Sequence, residues 1–370
     1  MSAKRTALYE EHAQLGASFT DFGGWDMPLK YANDVAEHRA VREAAGLFDL
    51  SHMGEFRIKG PDAGAYLDYC LLSHMSLLKV GKAKYSILLD ESGAVLDDLI
   101  SYRLGQEEFL VVPNAANVAS DFAAFAERSA GFDVELTNES EETSLIAVQG
   151  PRAEEILLAM EPSQPQLVRD LSYYAASPLE LAGRQVLLAR TGYTGEDGFE
   201  IYLPHAAACG LWQAALAAGQ PLGLVPAGLA ARDSLRLEAG MPLYGHELSP
   251  DITAFESGLG RLVEIALSKK EADFVGRQAL QEQAKQPPAR KLVGLKGQGK
   301  RPARAGSLLF DGDKEVGLVT SGIPSPSLGY PLALALIASD YSQAASIEVD
   351  IRGKRALFDL VEPPFYSRKK

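Results

Sequence analysis

Residues 190–200 read Arg190-Thr191-Gly192-Tyr193-Thr194-Gly195-Glu196-Asp197-Gly198-Phe199-Glu200. Glycine at every third position would suit a phosphate-cradling loop, but such a loop runs from a strand into a helix, usually with Lys-Ser/Thr behind it. Here the flanking segments 185–189 (QVLLA) and 199–203 (FEIYL) both read as strands. The glycines therefore shape a loop joining two strands. Phe199, Ile201 and Leu203 alternate toward one face, which sends Glu200 and Tyr202 to the other. A rigid loop that presents Tyr193 and Glu200 together suits a planar, polar ligand. An ordinary wide hairpin would show the same pattern.

The surrounding chain sets the frame. Its 370 residues are enough for two or three domains with ample core. Hydrophobic residues make up 46% and charged residues 23%, an ordinary globular composition. A formal charge of −13 argues against broad nucleic-acid binding, which needs a basic surface. Positive charge does gather locally at Lys291, Lys296, Lys300, Arg301 and Arg304, and again at Arg368, Lys369 and Lys370. Such runs are most often solvated loops or tails. The two cysteines, Cys70 and Cys209, cannot build a disulfide framework and fit a reducing compartment. The N-terminal residues lack the apolar core of a signal peptide, and no run reaches the roughly 18 apolar residues of a membrane helix. The expected setting is cytoplasmic, with no membrane partner.

Between 61 and 138 the pattern is α+β. A helix is expected over 61–72, strands over 85–89, 95–104 and 109–113, then a helix capped by Asn114 with Val118, Phe122, Phe125 and Ala126 at helical spacing, and a strand over 132–136. Strand–strand–helix passages of this kind suggest a ferredoxin-like antiparallel sheet. A second α+β passage starts at 145–148 and runs through the glycine loop to a helix over 227–238. Gln286-Pro287-Pro288 marks a linker, beyond which short strands and frequent turns indicate a small barrel or jelly roll.

Three polar positions stand out. On the strand 95–104, Asp98 shares a face with Leu96, Ile100 and Tyr102, whereas Asp97 shares the more polar face with Ser101 and Arg103. An acid on an apolar face requires hydrogen-bonding partners or a function. Asp97 could simply be solvated. Arg232 has no obvious partner in its own helix, which leaves a planar guanidinium for a carboxylate such as Glu200 or a ligand group. The six histidines show no metal-ligand spacing, and His52 and His246 read as satisfied structural residues. Neither cysteine belongs to a nucleophile signature. No metal is expected.

RTGYTGEDGFE resembles the signature of the aminomethyltransferase (T-protein) family of the glycine cleavage system. So do DFGGWDMP (21–28), FDLSHMG (48–54), LDDLI (96–100), AVQGP (147–151), ARDSLRLEAG (231–240), LYGHE (243–247), DFVGRQA (273–279) and VTSGIPSPSLG (319–329), in the family's order. The resemblance implies a three-domain α+β fold: residues 1–52 with 140–285 as a discontinuous folate-binding domain, 53–139 as a ferredoxin-like domain, and 289–370 as a C-terminal β-barrel. It implies transfer of a methylene carbon from the aminomethyl-lipoyl arm of H-protein to tetrahydrofolate, a co-substrate, with release of ammonia. Carried over residue by residue, Asp98 is the catalytic carboxylate, and Tyr85, Asn114, Tyr173, Tyr193, Glu200 and Arg232 line the folate pocket. Two alternatives share the fold. One is a non-catalytic folate-binding protein of the iron–sulfur maintenance type, whose cysteine motif is missing from Asp273-Phe274-Val275-Gly276-Arg277-Gln278. The other is a folate-dependent demethylase, against which FGGWDMP and SPSLG speak. Arg261 and Ala254 depart from the family's common pattern.

Overall fold

The computed structural model describes residues 3–368, so Lys369 and Lys370 of the C-terminal basic run lie outside the described residues. The glycine loop indeed joins two strands, Arg184–Ala189 and Gly198–Pro204. They are the second and third strands of a six-stranded sheet, in the order Ala176–Leu181, Arg184–Ala189, Gly198–Pro204, Thr143–Gln149, Ala45–Asp49 and Leu224–Pro226. Neighbours pair antiparallel except the last, which runs parallel to Ala45–Asp49. Strand Ala45–Asp49 reaches this sheet from far upstream in the chain, which periodicity alone does not reveal. Phe199, Ile201 and Leu203 point into a core with Leu47, Ile146, Val148, Leu211 and Trp212, all almost fully buried. Burying side chains of this size contributes roughly 1.5–3 kcal/mol each, before the cost of ordering the chain.

A five-stranded sheet follows the order Ala83–Leu89, Val95–Gly105, Glu108–Val112, Phe56–Lys59 and Glu135–Asn138. It carries helices Ala63–Cys70 and Val118–Arg128. The expected helix cap is corrected here. A 3-10 turn, Ala115–Asn117, precedes the helix, and Asn114 makes no side-chain capping hydrogen bond. The last strand begins at Glu135 rather than 132, because Gly131 turns with φ 91° and delays the extended segment.

The C-terminal strands Arg290–Gly297, Pro331–Ala338, Lys314–Pro324, Leu308–Asp311, Ser346–Asp350 and Arg355–Val361 close into a barrel in that spatial order. Leu295, Val319, Ala333, Ala335, Ile337, Val349 and Phe358 fill it. The fold is thus α+β with antiparallel sheets and a β-barrel. By packing, the chain divides into two compact units: residues 1–66, 75–85 and 99–233, and residues 67–74, 86–98 and 234–370.

In the second unit, Arg236 is buried and ion-paired with Glu247 at 2.9 Å, with Ser321 Oγ at 2.8 Å completing its fork. His246 is held by the Thr320 carbonyl at 3.0 Å, so its role there is structural. Among the described residues, no helix is long and apolar enough to cross a membrane.

Candidate functional site

The site in the first unit is built around the glycine loop, and Gln149 is what the loop wraps. Gln149 is 1% exposed. Its Nε2 donates to the Thr191 carbonyl at 3.0 Å, and its Oε1 accepts from Thr194 Oγ1 at 3.0 Å. A Cβ added to Gly192 or Gly198 would fall 2.0 or 2.5 Å from this carboxamide, so both positions must lack a side chain. From outside, Arg42 donates to the Thr194 carbonyl at 2.7 Å and to Glu196 at 2.9 Å, while Arg190 grips Asp197 and Glu154. The glycines serve a packed polar plug, which explains their spacing without any phosphate.

This anchored loop delivers Glu200 to the face of the sheet opposite the core. Its neighbours in register are Ala147 and Ala189, both with small side chains. Oε2 accepts from Thr191 Oγ1 at 2.5 Å and from the Tyr102 hydroxyl at 3.3 Å. Tyr102 lies 2.9 Å from Thr191 Oγ1, and Tyr202 donates to the Tyr102 hydroxyl at 3.2 Å. Oε1 meets no protein donor among the described residues. Burial, reinforced for Tyr102 by the Glu200 carboxylate, pushes both tyrosines well above their ordinary pKa, so they stay neutral hydroxyl donors.

Arg232, on helix Leu229–Glu238, is half-buried with its guanidinium 4.8 Å from the centroid of the Tyr193 ring. Burial lowers its pKa, opposed by the Glu200 carboxylate and Tyr193. No hydrogen bond or ion pair from this guanidinium occurs among the described residues. Tyr193, Glu200 and Arg232 therefore come together as an aromatic face, an acceptor and a cation. That set can stack a flat ring and meet both donor and acceptor edges.

The other sequence-derived positions lie on separate segments. Tyr173 is 52% exposed, its ring 4.9 Å from that of Tyr174. The Tyr174 carbonyl accepts from the Ala83 amide, which sets this loop against the start of the strand that carries Tyr85. Asn114 is half-buried at the start of the 3-10 turn. Asp98 belongs to the second unit, and the burial expected for the acid pair is reversed. Asp97 is 0% exposed beside buried Val95, Leu99 and Ser101, whereas Asp98 is half-buried with Leu96 and Ile100. Both faces of this strand carry apolar side chains, Val95 and Leu99 on one and Leu96 and Ile100 on the other, so apolar content does not identify the covered face.

The sequence did not single out Tyr102, Thr191, Tyr202 or Gln149. Alternation on strand 95–104 put Tyr102 on the Asp98 face, and alternation on strand 199–203 put Tyr202 on the Glu200 face; those were the signals present. His52 also departs from expectation. Its Nδ1 is buried with no partner among the described residues, and burial together with Arg232 lowers its pKa to about 4.

Two family profiles match the chain: the GCVT N-terminal domain over residues 8–267 and the glycine cleavage T-protein C-terminal barrel domain over residues 290–367. The aminomethyltransferase of Corynebacterium aurimucosum is 54% identical over 366 residues, 98% of each chain. That of Cutibacterium acnes is 53% identical over 371 residues, 99% of each. Among solved structures, the glycine cleavage system aminomethyltransferase T from Bartonella henselae matches with TM-score 0.91 and 38% identity, covering 99% of this chain and 98% of its own. These matches define a group-transfer enzyme, and the chain belongs to the glycine cleavage T-protein family. Its relatives are aminomethyltransferases of one-carbon metabolism, and it is an enzyme of that type.

Proposed function

We propose that this enzyme transfers the methylene carbon of an aminomethyl group from the lipoyl arm of H-protein to tetrahydrofolate, releasing ammonia. The observation that carries the reading is the grouping of Glu200, Tyr193 and Arg232 in a chain of this family. The open Oε1 of Glu200 accepts from the amino-pyrimidine edge of the pterin, and the Tyr193 ring and Arg232 hold its plane. Tyr85, Asn114 and Tyr173 complete the folate contacts in this proposal. Asp98 is assigned the reacting nitrogens, where a carboxylate stabilises an iminium-like carbon and manages a proton. Most of the rate then comes from holding two substrates in register. The division into 1–52 with 140–285, 53–139 and 289–370 is part of the same proposal, as is a cytoplasmic setting.

Full-length identity to aminomethyltransferases favours this reading over an iron–sulfur maintenance protein or a demethylase. Purified enzyme mixed with aminomethylated H-protein should release ammonia rapidly with tetrahydrofolate and slowly without it. Equal rates in the two arms would remove the folate from the proposal.

A further inference from the structure

Glu200 is nine-tenths buried, yet only one of its oxygens is used by the protein. The donors that reach it form an ordered chain. Tyr202 donates to Tyr102, Tyr102 reaches Thr191 and Glu200, and Thr191 donates to Glu200. A carboxylate accepts only, so every hydroxyl hydrogen in this chain runs toward Oε2. Hydroxyls linked in one direction polarise each other, which strengthens the terminal bond beyond a single pair. The two phenols are packed edge-on with centroids 5.7 Å apart, Tyr102 fully buried and Tyr202 almost so.

We propose that Tyr102, Thr191 and Tyr202 are positioning residues that fix the Glu200 carboxyl group with Oε1 turned outward, so that the site selects a ligand edge rich in donors. The proposal rests on the folate reading for the name of that ligand, but not for the placement of the carboxyl group. Arg232 on helix Leu229–Glu238 is a cation coupled by charge to this group. The remaining groups around it are Tyr193 on the loop, Tyr174 beside Tyr102, and Glu55 beside Tyr202. Tyr202 donates its hydroxyl hydrogen to Tyr102 rather than to Glu200, so Tyr202→Phe removes the outer link of the chain and leaves the two hydroxyls on Oε2 in place.

The test has two readouts. In ligand-free protein carrying ¹³C-labelled glutamate, the Glu200 carboxyl resonance at neutral pH should move in Tyr102→Phe and, by less, in Tyr202→Phe. Thr191→Val should match or exceed Tyr102→Phe, and Thr191→Ser should restore the wild-type resonance. Tetrahydrofolate affinity should fall roughly three- to tenfold in Tyr102→Phe, the value of one lost hydrogen bond. Unmoved carboxyl resonances in both Phe variants would overturn the proposal, as would wild-type affinity in both. Wild-type enzyme that bound no tetrahydrofolate would overturn the folate reading alone, leaving the carboxyl resonance to decide on the hydroxyl chain.

Discussion

Glu200→Gln keeps the shape of the side chain and removes its charge, which makes it the sharpest probe of the pocket. Two hydroxyls hold Oε2 at 2.5 and 3.3 Å. In the variant the amide oxygen must take that place, because Thr191 and Tyr102 both offer hydrogens. The NH2 then points outward, where a donor meets the donors of the pterin edge, and the Arg232 guanidinium loses the carboxylate that supports its charge. Losing a hydrogen bond to a charged partner costs about 1.5–3 kcal/mol, which is roughly 10- to 150-fold in affinity at 1.4 kcal/mol per tenfold. Calorimetric titration of tetrahydrofolate measures this directly, and Arg232→Ala should lose affinity in the same range. The double variant should lose less than the sum of the two, because each single change already disturbs the other partner. Wild-type affinity in both single variants, with a large fall in melting temperature, would reassign the pair to structure.

Asp98→Asn should lower turnover by about two to four orders of magnitude with folate affinity little changed. Asp97→Asn, at a fully buried position, should instead register mainly in melting temperature; the opposite pattern in steady-state assays would show that the wrong acid was chosen. Gly198→Ala would drive a Cβ to 2.5 Å from Gln149; it should cost about 1–3 kcal/mol in denaturant melts and weaken folate binding by displacing Glu200. Glu55 is fully covered, neither carboxyl oxygen has a partner among the described residues, and burial followed by Glu139 raises its pKa well above the usual range. Above the unfolded value near 4.3, the native state then holds a proton that the unfolded chain releases, so stability falls as pH rises, by at most about 1.4 kcal/mol per unit. Glu55→Gln should flatten that decline in melts between pH 4.5 and 7, and an unchanged slope would count against it. Reversing Lys296, Lys300 and Arg301 to Glu should raise the Michaelis constant for H-protein at low salt. The latter two are exposed while Lys296 lies 4.6 Å over the Tyr330 ring, and unaltered kinetics and salt dependence would make the stretch an ordinary solvated loop.

Local pattern carried the fold far. Strand alternation around Glu200 placed Phe199, Ile201 and Leu203 in the core and Glu200 opposite, because one face of that sheet is packed and the other holds polar groups. The barrel was equally legible, since its short strands are punctuated by turns such as Asp311-Gly312-Asp313. Pairing of Ala45–Asp49 with Thr143–Gln149 was not, because no local signal encodes a partner so far along the chain. The reversed burial of Asp97 and Asp98 shows a second limit: where both faces of a strand carry apolar residues, side-chain polarity does not tell which face is covered. Gln149 was missed because its role is to fill the space left by two glycines, a relation visible only in three dimensions.

The central claim, that carbon passes from the lipoyl arm to folate in this enzyme, is tested most directly with H-protein bearing a ¹³C-labelled aminomethyl group. In a single turnover with tetrahydrofolate, the label should appear in 5,10-methylenetetrahydrofolate in equal amount to the ammonia released, and Asp98→Asn should abolish both. Label that stayed on H-protein or emerged as free formaldehyde, at the same rate with and without folate, would contradict the account.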